Sequence, residues 1–160
     1  MPKLRQVGLD FFAAPPAEIR NEKRLPCSAA HAFAILSDTP SWALWFDDMK
    51  SGQWTSAAPY GVGSTRHMKL GVTAVDERIL AWEPGRRFSF ALTTMGAPLV
   101  RAMAEDWRLE AQGESACTLT HHVAYEPTLL TRALHPIVRG VFGRQFRKTL
   151  ENLAVYVTKH

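Results

Sequence analysis

Between Met49 and Pro127 the chain is cut by turn chemistry at short intervals, and that punctuation constrains its fold more than any other feature. The turns are Ala58-Pro59-Tyr60-Gly61, Leu70-Gly71, Glu83-Pro84-Gly85-Arg86, Met95-Gly96-Ala97-Pro98 and Gln112-Gly113-Glu114. Proline presets φ for the first corner of a turn and glycine accepts positive φ, so each cluster favours a chain reversal. The pieces between them are short and alternate in polarity. They predict strands in an antiparallel meander, in which sequence neighbours pair.

Folding the pieces about these turns tests whether they share a face. A fold about Gly71-Val72 sets Met68 opposite Val75 and Arg66 opposite Glu77. One about Pro84-Gly85 sets Ile79 against Phe90, Ala81 against Phe88 and Glu77 against Leu92. The Gly96 turn brings Phe90 to Met103 and Phe88 to Glu105. The Gly113 turn brings Glu105 to His121, Trp107 to Leu119 and Met103 to Val123. Opposed residues point to one face. That face carries Arg66, Met68, Val75, Glu77, Ile79, Phe88, Phe90, Leu92, Met103, Glu105, Trp107, Leu119, His121, Val123 and Tyr125. The other collects polar residues, among them His67, Asp76, Arg78, Arg87, Asp106, Arg108 and His122. A one-residue slip would invert a strand, so the partition supports the turns jointly. Leu80 and Trp82 break it and predict a bulge or an edge contact.

The flanks read differently. Glu18 to Leu25 alternates as a first strand, stopped by Pro26. Ser28 caps a short helix that carries Ala32, Phe33, Ile35 and Leu36 to Ser37. Asp38-Thr39-Pro40-Ser41 starts a second, brief helix with Trp42, Trp45 and Phe46. From Pro127 the period is helical, with Leu130, Leu134, Val138, Val141, Phe142, Phe146, Leu150, Leu153 and Val157 at three- and four-residue steps. Pro136 kinks this helix or marks its true start. The sum is an α+β fold, a curved antiparallel sheet of about seven strands wrapped on a long C-terminal helix. Only that helix is long enough to cover the apolar face. A strongly bent sheet cannot close completely on one helix, which leaves a cavity.

With 160 residues the chain fits one domain, assigned to 18–160. Residues 1–17 are expected to be a loosely ordered leader; they lack the continuous apolar core of a signal peptide. No stretch approaches the roughly 20 apolar residues of a membrane span, and a cytoplasmic protein is expected. Cys27 and Cys117 belong to no CxxC pair, which speaks against a disulfide framework or a zinc ribbon. The net charge of +4 is concentrated late, in Arg132, Arg139, Arg144, Arg147 and Lys148. Such a run reads as a solvated helix face, one compatible with peripheral contact at an anionic membrane. No helix-turn-helix, RNP-type aromatic motif or finger spacing accompanies it, so no nucleic-acid partner is expected.

Several stretches resemble a known family. Pro26-Cys27-Ser28-Ala29-Ala30-His31-Ala32-Phe33, Leu36-Ser37-Asp38, Trp42 and Trp45-Phe46 are similar to the opening of the polyketide cyclase/dehydrase and lipid-transport family, within the START/Bet v 1-like (SRPBCC) superfamily. Gly63-Ser64-Thr65-Arg66, Glu77-Arg78-Ile79, Trp82-Glu83-Pro84-Gly85-Arg86-Arg87-Phe88 and Asp106-Trp107-Arg108-Leu109 resemble its strand motifs. The likeness runs from about Glu18 to the end of the chain and implies the helix-grip fold with a deep hydrophobic cavity. It implies roles as diverse as lipid or sterol carriage, metabolite binding and aromatic polyketide cyclisation, with no universal catalytic motif to carry over.

Polar residues on the apolar face are the chemistry on offer. Glu105 beside His121 could make a general base, or the two could satisfy each other or anchor a ligand. Tyr125 is a third acid–base candidate. Arg66 and Glu77 form a cross-strand pair that is structural, or that grips an anionic ligand at a cavity mouth. Candidate ligand contacts are Arg66, Met68, Glu77, Ile79, Phe88, Phe90, Leu92, Met103, Glu105, Trp107, His121, Val123, Tyr125, Leu134, Val138 and Phe142. No metal is expected, because adjacent His121 and His122 point to opposite faces and no third ligand joins them. No nucleotide or redox fingerprint is present, so no cofactor is expected. Binding or carriage of a hydrophobic small molecule leads. A cyclase-type enzyme and a membrane- or protein-interaction module stay open beside it.

Overall fold

Seven strands, β1 (Ala17–Leu25), β2 (Met49–Trp54), β3 (Thr65–Leu70), β4 (Ala74–Glu83), β5 (Arg87–Met95), β6 (Val100–Ala111) and β7 (Cys117–Pro127), form one antiparallel sheet in the computed structural model, which describes residues 1–160. Their order is β1-β7-β6-β5-β4-β3-β2, a meander from β2 to β7 with β1 added beside β7. The turns follow their residue chemistry. Gly85 and Gly113 sit at φ of 72° and 79°, where a Cβ is strained.

The face assignment holds while parts of the register move. Arg66 pairs with Glu77, Met68 with Val75, Ile79 with Phe90 and Glu77 with Leu92, as expected. Between Ile79 and Ala81 the ladder shifts, so Trp82 rather than Ala81 opposes Phe88. That bulge turns Trp82 inward, against Phe33, Phe88 and Trp54. Across β5, β6 and β7 the pairing differs from expectation by two residues: Phe90 opposes Glu105, and Glu105 opposes Val123. Because side chains repeat with period two, this correction leaves every residue on its expected face.

Between β1 and β2 the chain crosses one end of the sheet as α1 (Ala29–Ser37), a 3-10 turn (Thr39–Ser41) and α2 (Trp42–Trp45). Ser28 Oγ accepts the His31 N–H and caps α1. Trp42 Nε1 donates to the Leu36 carbonyl at 2.8 Å, which fixes the indole under the sheet. After β7 come α3 (Leu129–Ala133) and α4 (His135–Tyr156), with Pro136 in the first turn of α4. The proline marks a helix start, where its missing N–H costs nothing. The C-terminal half of α4 buries Phe146, Thr149, Leu150 and Leu153. Its N-terminal half does not match that pattern: Ile137 and Val141 are exposed, as is Leu134 just before the helix.

The leading residues are not loosely attached. β5 and β6 pair only from Arg87/Arg108 to Ala91/Ala104, and their ends beyond that diverge. Residues 2–5 lie across this split. Leu4 N–H donates to the Thr93 carbonyl, Arg5 N–H to the Arg101 carbonyl, and Met95 N–H to the Pro2 carbonyl. The following segment covers the outer sheet face, where Val7 and Phe12 pack on Ala91, Ala102, Ala104 and Ala124. The alanines there are small enough for a chain segment to lie flat, and its side chains find apolar area to bury. Phe12 also rests on the His122 ring.

Cys27 and Cys117, far apart in sequence, meet where β1 ends and β7 begins. Both are free and buried, and burial pushes the Cys117 thiol up to about 11.

Candidate functional site

The concave sheet face and α4 enclose a cavity of about 200 Å³. Its position follows from which ends of the strands are filled. At one end Trp42 and Trp45, delivered by α2, pack on Trp107, and Trp42 also meets Phe88 and Phe90. Met68, Ile79, Leu119 and Leu150 complete that packing with 2% exposure or less. At the other end no element fills the space. There Leu92 and Met95 of β5, Val100 and Met103 of β6, Val123 and Tyr125 of β7, and Val138 and Phe142 of α4 wall an opening.

Among the sixteen candidate contacts, Glu77, Phe90, Leu92, Met103, Glu105, Val123, Tyr125, Val138 and Phe142 line the cavity. Met68, Ile79, Phe88, Trp107, Arg66 and His121 lie behind it in the packed end, on the same sheet face but closed off by aromatic rings. Leu134 is 53% exposed and lies outside it. Lining residues outside those sixteen include Ile19 of β1, Met95 in a stretch read only as a turn, Leu99 just after it, and Phe46, Gln145 and Phe146. Phe146 was already visible on the helical stripe; Met95 and Leu99 enter because the strands around them diverge.

Arg66 is not at a cavity mouth. It is 0% exposed, and its guanidinium lies 4.2 Å from the Trp42 ring centroid and 4.6 Å from that of Phe90. Its Nε donates to Glu77 Oε2 and its Nη1 reaches Thr39 Oγ1 at 3.4 Å. Stacking on both rings and pairing with Glu77 offset the cost of burying this charge, while Nη2 finds no hydrogen-bond partner. Glu77 lies between this cation and the cavity. Burial pushes its carboxyl up to about 7; Arg66 opposes that rise and the charge of Glu105 adds to it.

Glu105 and His121 do meet, through a diagonal rather than a direct pairing. Their hydrogen bond between His121 Nε2 and Glu105 Oε2 is 2.8 Å long, and Trp107 Nε1 donates to the same oxygen at 3.2 Å. Glu105 reaches the cavity; His121 is 0% exposed, stacked beneath Trp107 and edged by Phe146. A proton exchanged with a ligand would therefore pass through Glu105 and not directly through the imidazole. Tyr125 lines the cavity nearer its mouth, with its hydroxyl 2.7 Å from His135 Nε2. Burial raises the Tyr125 phenol above its ordinary value.

Comparisons agree with this geometry. A family model described as polyketide cyclase / dehydrase and lipid transport matches residues 16–158. An uncharacterized protein of Mycobacterium tuberculosis is 31% identical over 152 residues, covering 94% of this chain and 90% of that one. Among solved structures, a START superfamily protein from Mycobacterium smegmatis superimposes with a TM-score of 0.77 at 14% identity, covering 89% of this chain and 97% of its own. The Zhui aromatase/cyclase from Streptomyces sp. R1128 gives a TM-score of 0.71, also at 14% identity, covering 89% and 94%. At that identity the structural likeness speaks to the helix-grip fold. The chain belongs to the polyketide cyclase/dehydrase and lipid transport family.

Proposed function

We propose that the protein binds or carries a hydrophobic or amphipathic small molecule, lipid-, sterol- or polyketide-like, between the sheet and α4. The observation that supports this most is a cavity open at one end and walled mostly by aliphatic and aromatic side chains, beside a core filled by buried ones. Its volume sets a scale. An apolar cavity of about 150 Å³ takes up benzene. About 200 Å³ therefore receives a ring or a short chain, and the rest of a larger ligand extends toward the mouth. Two buried, unbridged thiols fit a reducing, cytoplasmic setting. Native mass spectrometry of gently purified protein is expected to show a retained small molecule, and a hydrophobic dye is expected to bind with one-to-one stoichiometry. A dry interior that takes up neither defeats the reading.

Two further readings have an observation each. A cyclase-type reaction would draw on Glu105 and on the Tyr125–His135 pair, the acid–base groups at the cavity wall, and the fold shared with an aromatase/cyclase is compatible with it. Its mark is a substrate whose turnover is lost in Glu105→Gln and Tyr125→Phe while affinity is kept. Membrane contact would use the exposed Leu129, Leu130, Leu134, Ile137 and Val141 together with Arg132, Arg139 and Arg144, all near the cavity mouth. No helix is long and apolar enough to cross a bilayer, so this contact would be peripheral. Flotation with vesicles containing phosphatidylserine should then weaken with salt and with Arg139 and Arg144 neutralised, and vanish on phosphatidylcholine alone.

A further inference from the structure

We propose that the inner end of the cavity selects ligands presenting a hydrogen-bond donor, a hydroxyl or an ammonium group, and turns away those presenting a carboxylate or phosphate there. This rests on the ligand-binding reading and adds to it the polarity of the ligand's buried end.

The charge of the lining is one-sided. The chain has 19 lysines and arginines, yet none of them, and no histidine, lines the cavity. Its charged lining residues are Asp48, Glu77 and Glu105. The cation nearest the floor, Arg66, is held behind Glu77 against the Trp42 and Phe90 rings; its Nη2 has no partner but is fully buried, away from the cavity lining. Arg101, further along, is exposed and does not line the space.

The two floor carboxylates are half-used. Glu77 accepts from Arg66 through Oε2, and Glu105 accepts from His121 and Trp107 through Oε2. The Oε1 atom of each has no partner in the protein, and both residues keep a few per cent of exposure, 4% and 5%. They stand on β4 and β6 on either side of β5, Glu77 opposite Leu92 and Glu105 opposite Phe90, two strand spacings or about 10 Å apart across the sheet. Neither floor carboxylate is filled from within, and both reach the same cavity.

The ligand chemistry follows. A ligand packed onto this floor strips water from the free oxygens. If it brings no donor, buried acceptors are left unmade, at a cost of tenfold or more in affinity. If it brings a carboxylate, it adds a like charge beside Glu105 where the dielectric is low, and beside Glu77 once that carboxyl loses its proton near pH 7. Burial does most to raise the Glu77 carboxyl, and the charge of Glu105 adds to the rise.

A ligand series of one shape tests this. 2-Methylnaphthalene, 2-naphthol, 2-naphthylmethylamine and 2-naphthoic acid are titrated against the wild-type protein at neutral pH, with displacement of a bound hydrophobic dye as readout. The naphthol and the amine are expected to bind at least tenfold more tightly than the hydrocarbon, and the acid most weakly. Glu105→Gln, which supplies an amide donor, is expected to narrow the gap between naphthol and acid by about tenfold. The wild-type ranking needs no variant, so misfolding of Glu105→Gln leaves the test intact. Dye uptake with equal affinities across the series, or with the acid preferred, overturns the inference and leaves ligand binding standing. Failure to take up the dye or any member overturns both.

Discussion

Along α4, Leu150 and Leu153 are sealed against the sheet, whereas two turns earlier Phe142 and Val138 look into a cavity and Ile137 and Val141 face solvent. The same contrast divides the sheet. Phe88 and Trp107 touch the aromatic block delivered by α2, while Leu92 and Met103 line the cavity, as does Tyr125, whose ring meets only His135. Residue size does not separate the two ends, since both are walled by large side chains. The difference is the filler: α1 and α2 plug one end, and nothing plugs the other. A cavity in this fold is thus a consequence of where the short helices land rather than of small residues lining it.

If the packed end carries the stability, the largest loss should come from Arg66→Ala. Removing the guanidinium strands Glu77 and empties the space between Trp42 and Phe90, and urea unfolding is expected to lose about 3–5 kcal/mol. A smaller loss there would mean that the buried pair contributes little beyond its desolvation cost. The next test compares one helix with itself. Leu150→Ala should cost about 2–5 kcal/mol, and Phe142→Ala less than about 2 kcal/mol, because the second truncation enlarges a space that already exists. Equal costs would break the division of α4 into a sealed half and a hollow half.

The smallest effect is on pH dependence. The folded-state carboxyl of Glu77 is raised from 4.5 to about 7 by burial, so the folded protein holds a proton that the unfolded chain releases. That contribution is fully present below the unfolded value and is lost as pH rises through about 7. Unfolding free energies at about pH 5 and about pH 8 should fall across that interval in wild type and fall less in Glu77→Gln. Identical slopes would assign the change to other groups.

Much of this division lies beyond what the residues alone disclose. Turn chemistry and alternation were enough to find the apolar face, because a two-residue error in the β5–β6 and β6–β7 hairpins preserves it. The inward turn of Trp82 was detectable as a break in alternation, and the bulge supplies its cause. The depth of each residue on that face was not detectable. Arg66, Phe90 and Tyr125 share one side of the sheet, yet the first is walled in and the others line the cavity, which depends on the landing point of Trp42. Leu134 and Val141 follow the helical stripe that buries Leu150, and periodicity carries no information on how far a helix runs past the sheet beneath it. Glu105 and His121 were recognisable as neighbours, but only side-chain packing decides which of them a ligand can touch.

Residues 2–5 give the cavity wall an unusual construction. Where β5 and β6 part, continuity between Leu92 and Met95 on one side and Val100 and Met103 on the other is restored by a segment more than eighty residues away in sequence, held by three backbone hydrogen bonds. The wall is keyed at that seam rather than woven. A tag, a cleavage or a substitution at residues 2–5 therefore acts on the cavity wall from the outside, through the strands that line it.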